Sequence, residues 1–315
     1  MIAVRAHAKI NLGLKVQGRR EDGYHEIRST LQSIDLHDSL RLEEADGLTL
    51  RVEGDWRLAA DASNLVLKAA EAFHAACGGR GARIVLTKRI PPGSGLGGGS
   101  SDAAATLMGL DRLWGVRAGP EKLFGVARTL GSDVPFFLYG GACLALGRGD
   151  DLFPLPDLPG WQVLVVWPGV SLSTREVYAQ LPASLTRDRN LSSMRGFNSV
   201  PAARAPGDEG AIPGFSPADA GSQEEAPQVD NDLEETSFAR VPQLRSIKEQ
   251  LLAAGAVAAA MSGSGSAVYG LFPRDEELEP IRMAMEREAT RVFVCRTLSR
   301  EAYGTRLFES CLDFS

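Results

Sequence analysis

The stretch Pro91-Pro92-Gly93-Ser94-Gly95-Leu96-Gly97-Gly98-Gly99-Ser100-Ser101-Asp102 decides how the chain is read. Glycine adopts backbone conformations closed to other residues and lets amide N–H groups approach a ligand closely. A helix that opens directly after such a loop adds partial positive charge at its N-terminus. Apolar residues recur at Ala103, Leu107, Leu110 and Trp114, so a helix follows, with Ser100, Ser101 and Asp102 as its expected capping residues. A strand-like run at 84–87 precedes the loop. A linker needs neither neighbour, whereas strand, glycine loop and helix together make a phosphate cradle.

Several phosphate-loop classes are set aside by context. Gly93-x-Gly95-x-x-Gly98 formally matches the dinucleotide fingerprint. Two prolines and Lys88-Arg89 separate the strand from these glycines, and no acidic residue ends a following strand at the required distance. No lysine follows the glycines, which excludes the Walker A loop. Neither H-R-D nor D-F-G occurs, so the protein-kinase signature is missing.

Upstream, Ile2, Val4, Ala6, Ala8, Ile10, Leu12, Leu14 and Val16 alternate with Arg5, His7, Lys9, Asn11 and Lys15. This period of two predicts a strand with one buried face, and His7, Lys9 and Asn11 sharing the other. Strand-like residues recur at 48–52, and a helix is expected at 64–76, stopped by Gly78-Gly79. Another helix starts at Pro120 and ends at Gly131, directly before Ser132-Asp133-Val134-Pro135-Phe136-Phe137. Prolines cluster at 154–160, which places a boundary between a domain at 1–155 and one at 156–315. The second half reads as strand 161–167, helix 241–254, strand 267–272, helix 276–288 and strand 291–297. That order predicts an α+β sandwich. Residues 195–228 are rich in Gly, Pro, Ala, Ser and acids and read as a low-complexity insertion.

The bulk numbers fit this picture. A chain of 315 residues with 44% hydrophobic content suits two packed cores. A formal net charge of −6 argues against a general nucleic-acid binder. Cys77, Cys143, Cys295 and Cys311 are too scattered for a zinc site or a disulfide framework. No leader and no apolar run of membrane-spanning length is visible, so a cytoplasmic protein is expected, with no membrane and no nucleic acid among its partners.

The glycine loop resembles the central motif of the GHMP kinases, the family of galactokinase, homoserine kinase, mevalonate kinase and phosphomevalonate kinase. Ala8-Lys9-Ile10-Asn11-Leu12 resembles the family's N-terminal motif, and Ser262-Gly263-Ser264-Gly265-Ser266-Ala267 its C-terminal glycine motif. Three motifs in order over most of the chain are far more specific than one. Asp22-Gly23-Tyr24-His25-Glu26 and residues 131–137 are similar to segments of the branch that acts on a cytidine diphosphate derivative of methylerythritol. The resemblance implies an α+β, two-domain GHMP kinase fold: an N-terminal mixed α/β domain of ribosomal-S5-like topology and a C-terminal α/β sandwich. It implies phosphorylation of the 2-hydroxyl of that substrate by ATP, with Mg2+, in the non-mevalonate route to isoprenoid precursors.

Roles follow residue by residue from the resemblance. Asp133 would accept the hydroxyl proton, and Lys9 would hold the hydroxyl and the transferring phosphate. Taken alone, Asp133 reads as a turn residue and Lys9 as a solvated strand residue. Pro91, Pro92, Gly93, Ser94, Gly95, Leu96, Gly97, Gly98, Gly99, Ser100 and Ser101 would bind ATP. Asn64-Leu65 and Lys88 would border its adenine, and Ser101 is a candidate metal ligand beside the phosphates. Tyr24 would stack on cytosine, His25 would bond its edge, and Asn11, Thr174 and Tyr178 would complete the substrate pocket. Tyr178 stands where the family often has phenylalanine, which keeps the ring. The alternatives at this point are another GHMP kinase, a non-catalytic nucleotide-binding relative with the same fold, or a dinucleotide oxidoreductase.

Overall fold

A computed structural model describes residues 1–182 apart from 57 and 159, residue 185, residues 227–286 and residues 290–308. Most of the 195–228 insertion and Cys311 lie outside the described residues. The first half contributes β1 (Ile2–Arg19), β2 (His25–Ala45), β3 (Thr49–Gly54), α1 (Leu65–Cys77), β4 (Gly81–Lys88), α2 (Gly98–Trp114), α3 (Pro120–Leu130), α4 (Phe136–Tyr139), β5 (Ala142–Gly147) and β6 (Asp151–Pro154). The second contributes β7 (Gln162–Trp167), α5 (Thr174–Ala179), β8 (Asp230–Asn231), α6 (Glu234–Arg240), α7 (Gln243–Ala253), β9 (Ala258–Met261), β10 (Val268–Phe272), α8 (Glu279–Met285), β11 (Arg291–Arg296) and α9 (Arg300–Leu307).

Two sheets result. The larger runs β3-β4-β2-β1-β8, with β5 beside the early half of β2 and β6 beside β5. The smaller runs β11-β7-β10-β9 and is antiparallel throughout. Val66, Ala70 and Phe73 of α1 and Ala103, Leu107 and Leu110 of α2 pack with Val4, Ala6, Leu40 and Leu42 of the large sheet. Ala8, Ile10 and Leu12 of β1 pack instead with Val163, Val165, Tyr269 and Leu271 of the small one. Leu164, Val166, Val268 and Phe272 face the helical side of the second half, with Leu244, Ile247 and Leu251 of α7. The chain then returns, since Leu298, Tyr303 and Leu307 join the first core.

The plain alternation expected for β1 is broken. Its pairing with β2 shifts register between His7 and Lys9 and again between Asn11 and Gly13. Between His7 and Lys9 the extra residues lie on β2, where residues 34–36 oppose Ala8 alone, whereas between Asn11 and Gly13 the extra residue lies on β1. Val4 and Ala6 pack with the helices while Ala8 and Ile10 pack with the second sheet, and both faces of the strand are buried. The shared face expected for His7, Lys9 and Asn11 is lost as well. His7 lies 5.3 Å, ring to ring, from both His37 and Tyr303, whereas Lys9 and Asn11 meet each other.

Local signals behave as elementary chemistry requires. Asn64 caps α1, its Oδ1 accepting from Val66 N–H at 3.0 Å, and Gly78 ends that helix at φ 76°. Pro120 occupies the first turn of α3. The capping expected of Ser100, Ser101 and Asp102 does not occur, because α2 starts earlier, at Gly98, behind a left-handed Gly97 with no side-chain cap.

Burial, aided by the charges of His37, Arg5 and Arg306, pushes the His7 imidazole down to about 3. The unfolded chain then binds a proton below about pH 6.5 that the folded chain refuses, so stability falls as pH drops from there toward 3. Between pH 7.5 and 5.5 this amounts to about 1.4 kcal/mol. Urea unfolding of His7→Gln at both pH values should show a loss smaller by that amount than in wild type. Equal losses would remove His7 from the acid response.

Candidate active site

The site forms where β1, the glycine loop and the second-half glycine turn converge. At the β1 register shift Lys9 N–H donates to the Leu96 carbonyl at 3.0 Å, which ties strand to loop. The Lys9 side chain is buried, donates from Nζ to Asn11 Oδ1 at 2.6 Å and lies 3.8 Å from Asp133 Oδ2. Asn11 is aimed by its own neighbours: its Nδ2 donates to Ser29 Oγ at 2.8 Å, and its backbone carbonyl accepts from the Tyr269 hydroxyl at 2.8 Å. Asp133 sits in the turn between α3 and α4 with 39% of its side chain exposed. It thus carries a carboxylate to the edge of open space while its ammonium partner stays inside. Burial lowers the Lys9 pKa and the Asp133 charge opposes that shift.

The glycine loop holds Gly93, Gly95 and Gly97 at φ 63°, 81° and 74°, conformations costly for residues with a Cβ. The first hydrogen bond within α2 runs from Ser101 N–H to the Gly97 carbonyl at 2.9 Å. The N–H groups of Gly98, Gly99 and Ser100 precede it and so have no partner inside the helix. A seventeen-residue helix thus presents its positive end uncapped. Ser94 is turned inward, its hydroxyl donating to the Pro91 carbonyl at 2.6 Å. The Ser101 hydroxyl donates to the His7 carbonyl at 2.7 Å and is buried. Among the described residues no three His, Cys, Asp or Glu side chains converge as a metal cage.

The second-half turn closes the third side. Ser262 Oγ donates to the Gly95 carbonyl at 2.9 Å, and the Ala267 N–H donates to the Ser94 carbonyl at 2.9 Å. Gly263 lies beside Lys9: a Cβ built on it would sit 3.3 Å from the Lys9 Nζ. Thr174 Oγ1 is 2.8 Å from Ser264 Oγ. Asn231 braces the turn from behind, its Nδ2 donating to the Met261 carbonyl at 2.8 Å and the Gly263 carbonyl at 2.7 Å. Glu234 accepts the Met261 N–H at 2.9 Å.

The expected substrate residues separate into two groups. Tyr178 lies close to Asp133: burial first, and then the Asp133 charge, raise its phenol pKa. Its ring is 4.9 Å from that of His25. Burial, followed by the Arg19 charge, lowers the His25 imidazole. Tyr24 stands outside this pair, 57% exposed, with the Arg148 guanidinium 5.3 Å from its ring centre. Tyr24, Arg128, Ser132 and Arg148 line a hollow of about 220 Å³ that reaches to the residue before Asp133.

Lys88, expected beside the adenine, has a buried setting. Its ammonium contacts both Asp38 and Asp102 instead of facing solvent. Sequence reasoning missed this cluster, and also Ser29, Asn231 and Glu234. Asn231 did carry a signal, an Asn-Asp pair directly before the helical start at Leu233, whose N–H its side chain accepts at 2.9 Å.

Residues 64–141 match the GHMP kinases N terminal domain and residues 217–290 the GHMP kinases C terminal domain. A 4-diphosphocytidyl-2-C-methyl-D-erythritol kinase of Solibacter usitatus is 43% identical over 275 residues, covering 85% of this chain and 80% of the relative. One of Pelotomaculum thermopropionicum is 39% identical over 302 residues, covering 95% and 99%. The chain belongs to the 4-diphosphocytidyl-2-C-methyl-D-erythritol kinase family. A crystal structure of 4-(cytidine 5'-diphospho)-2C-methyl-D-erythritol kinase matches with a TM-score of 0.71 at 34% identity, over 94% of this chain and 98% of the other. Homoserine kinase from Cytophaga hutchinsonii, at 22% identity and a TM-score of 0.66, shares the fold. As a family member this chain is an ATP-dependent phosphotransferase with an alcohol acceptor. The fold expected from the motifs is the observed one. Among the described residues no helix is long and apolar enough to cross a membrane.

At Gly95 the two halves press backbone on backbone, and an added Cβ would run into the Ser262 carbonyl. Gly95→Ala should therefore cost about 1–3 kcal/mol in backbone strain and lower turnover by spreading the two turns. Thermal unfolding and steady-state rates check this; wild-type values in both would mean that the turns do not touch.

Proposed function

We propose that this kinase transfers the γ-phosphoryl group of ATP to the 2-hydroxyl of 4-diphosphocytidyl-2-C-methyl-D-erythritol, and that it works in the cytoplasm on the non-mevalonate route to isoprenoid precursors. The observation that carries the assignment of roles is the Lys9–Asp133 contact of 3.8 Å beside the uncapped start of α2. Phosphoryl transfer asks for alignment and charge stabilisation more than for covalent chemistry. The Asp133 carboxylate accepts the proton of the acceptor hydroxyl as its oxygen bonds to the γ-phosphorus. The bond to the β–γ bridging oxygen breaks, and ADP leaves with that oxygen. Lys9, held by Asn11, sets its positive charge where the transferring group gains negative charge. The amides of Gly98, Gly99 and Ser100 take the phosphates, and Gly93, Gly95 and Gly97 allow the loop to curve around them.

Mg2+ accompanies ATP by neutralising phosphate charge. The Ser101 hydroxyl donates its hydrogen to the His7 carbonyl, and its oxygen lone pairs would be the group to meet the ion beside the phosphates. The ion would travel with the phosphates, and no step here depends on it.

For the cytidine end we assign Tyr178, His25 and Thr174 as the inner contacts and Tyr24 as an outer face. The arrangement that supports this is the His25–Tyr178 ring pair on the Asp133 side and the Tyr24 ring across the hollow. Stacking on such rings is worth about 1–3 kcal/mol per base.

Asp133→Asn should lower kcat by about a hundredfold or more while a non-hydrolysable ATP analogue still binds. Unchanged turnover would remove Asp133 as the base. Tyr24→Ala should raise KM for the cytidine substrate about tenfold and leave KM for ATP alone. An ADP-release assay over the cytidine substrate, mevalonate, galactose and homoserine decides the substrate: turnover of one of the last three and none of the first would reject the proposal.

A further inference from the structure

The buried Lys88–Asp38–Asp102 cluster has no part in the reaction as written, yet it lies against both stems of the ATP loop. Lys88 ends β4, the strand that leads into the loop. Asp102 lies in the first turns of α2, the helix that leads out of it. Asp38 comes from β2, a third element. Lys88 Nζ donates to Asp102 Oδ2 at 2.8 Å and also to Asp38 Oδ2. The other Asp38 oxygen accepts the N–H of Arg89 and, at 2.9 Å, that of Ile90, the two residues that run into Pro91. All three side chains are almost fully excluded from solvent, at 2% for Lys88, 0% for Asp38 and 3% for Asp102.

The cluster thereby fixes the distance between the two ends of the loop. A loop whose stems are pinned to one buried centre loses little further freedom when a ligand orders it, and that saving appears as affinity. The centre is also oriented. A Cβ built on Gly98, the first residue of α2, would sit 3.1 Å from the Lys88 Nζ. The atom packed directly behind the amide cradle is therefore the Lys88 ammonium, whose charge is answered by its two carboxylates, so the cluster contributes position rather than net positive charge. Buried ionic clusters seldom add net stability over apolar residues of the same volume. A positioning task accounts for keeping one here.

We propose that Lys88, held between Asp38 and Asp102, is a positioning residue for ATP that pre-forms the phosphate loop by clamping its two stems. The inference rests on the assignment of residues 91–101 to ATP, and its test is arranged so that the two can fail separately. The first measurement is calorimetric titration of wild type with a non-hydrolysable ATP analogue. No binding would sink the ATP assignment itself. With binding in hand, Lys88→Met should weaken the analogue about tenfold or more, raise KM for ATP in step, and leave KM for the cytidine substrate within about threefold. An analogue affinity within about twofold of wild type, or equal losses for both substrates, would overturn the clamp. Removing one partner of a buried ion cluster can prevent folding, so Asp102→Ala and Asp102→Asn form a second pair. Alanine deletes one leg of the clamp, whereas asparagine keeps an acceptor for Lys88. Alanine should weaken the analogue about fivefold or more and asparagine should restore it to within about twofold. Equal affinity in the alanine variant and wild type would overturn the proposal.

Discussion

A lysine ammonium held almost wholly out of water is unfavourable unless a carboxylate and good hydrogen-bond acceptors answer it. At Lys9 the answer comes from Asn11, on the same strand, and from Asp133, on the turn between α3 and α4. Much of the surrounding architecture follows from keeping that arrangement in place. The Leu96 carbonyl takes the Lys9 backbone N–H, and Gly263 leaves room for its side chain. Asp133 keeps 39% of its side chain exposed. Under the roles proposed above, this carboxylate beside a buried ammonium is the pair that moves a phosphoryl group to an alcohol.

The two halves of the chain depend on each other through backbone contacts at this point. Ser262 and Ala267 bond to the carbonyls of Gly95 and Ser94, and the Tyr269 hydroxyl bonds to that of Asn11. Ala8, Ile10 and Leu12 bury their side chains against the second sheet. Packing of the sheets and closure of the site are consequently one event, and neither half presents the whole site alone.

Much of this was legible in the sequence. The glycine loop, the lysine strand and the second-half glycine turn each read as a local pattern, but the turn lies between two strands, β9 and β10, and β9 was not expected. Helix limits set by Asn64, Gly78, Pro120 and Gly131 fell where caps and breakers place them. What escaped depended on distant partners. Period-two alternation cannot reveal a register shift, since the extra residue is defined by the strand opposite. β2 buries Ser29, Ser33 and Asp38 among its apolar positions, so its alternation is blurred over twenty-one residues. Ser100 and Ser101 look like caps by type, but α2 already opens at Gly98, behind a left-handed Gly97. The Lys88 cluster joins positions fifty and fourteen residues apart, beyond any local pattern.

The most direct test of the account is a crystal structure with a non-hydrolysable ATP analogue and the cytidine substrate bound together. The account expects the γ-phosphate between the Lys9 ammonium and the first amides of α2, and the acceptor hydroxyl about 2.6–3.2 Å from the Asp133 carboxylate. A triphosphate seated away from residues 93–100, or an acceptor hydroxyl with no path to Asp133, would contradict it.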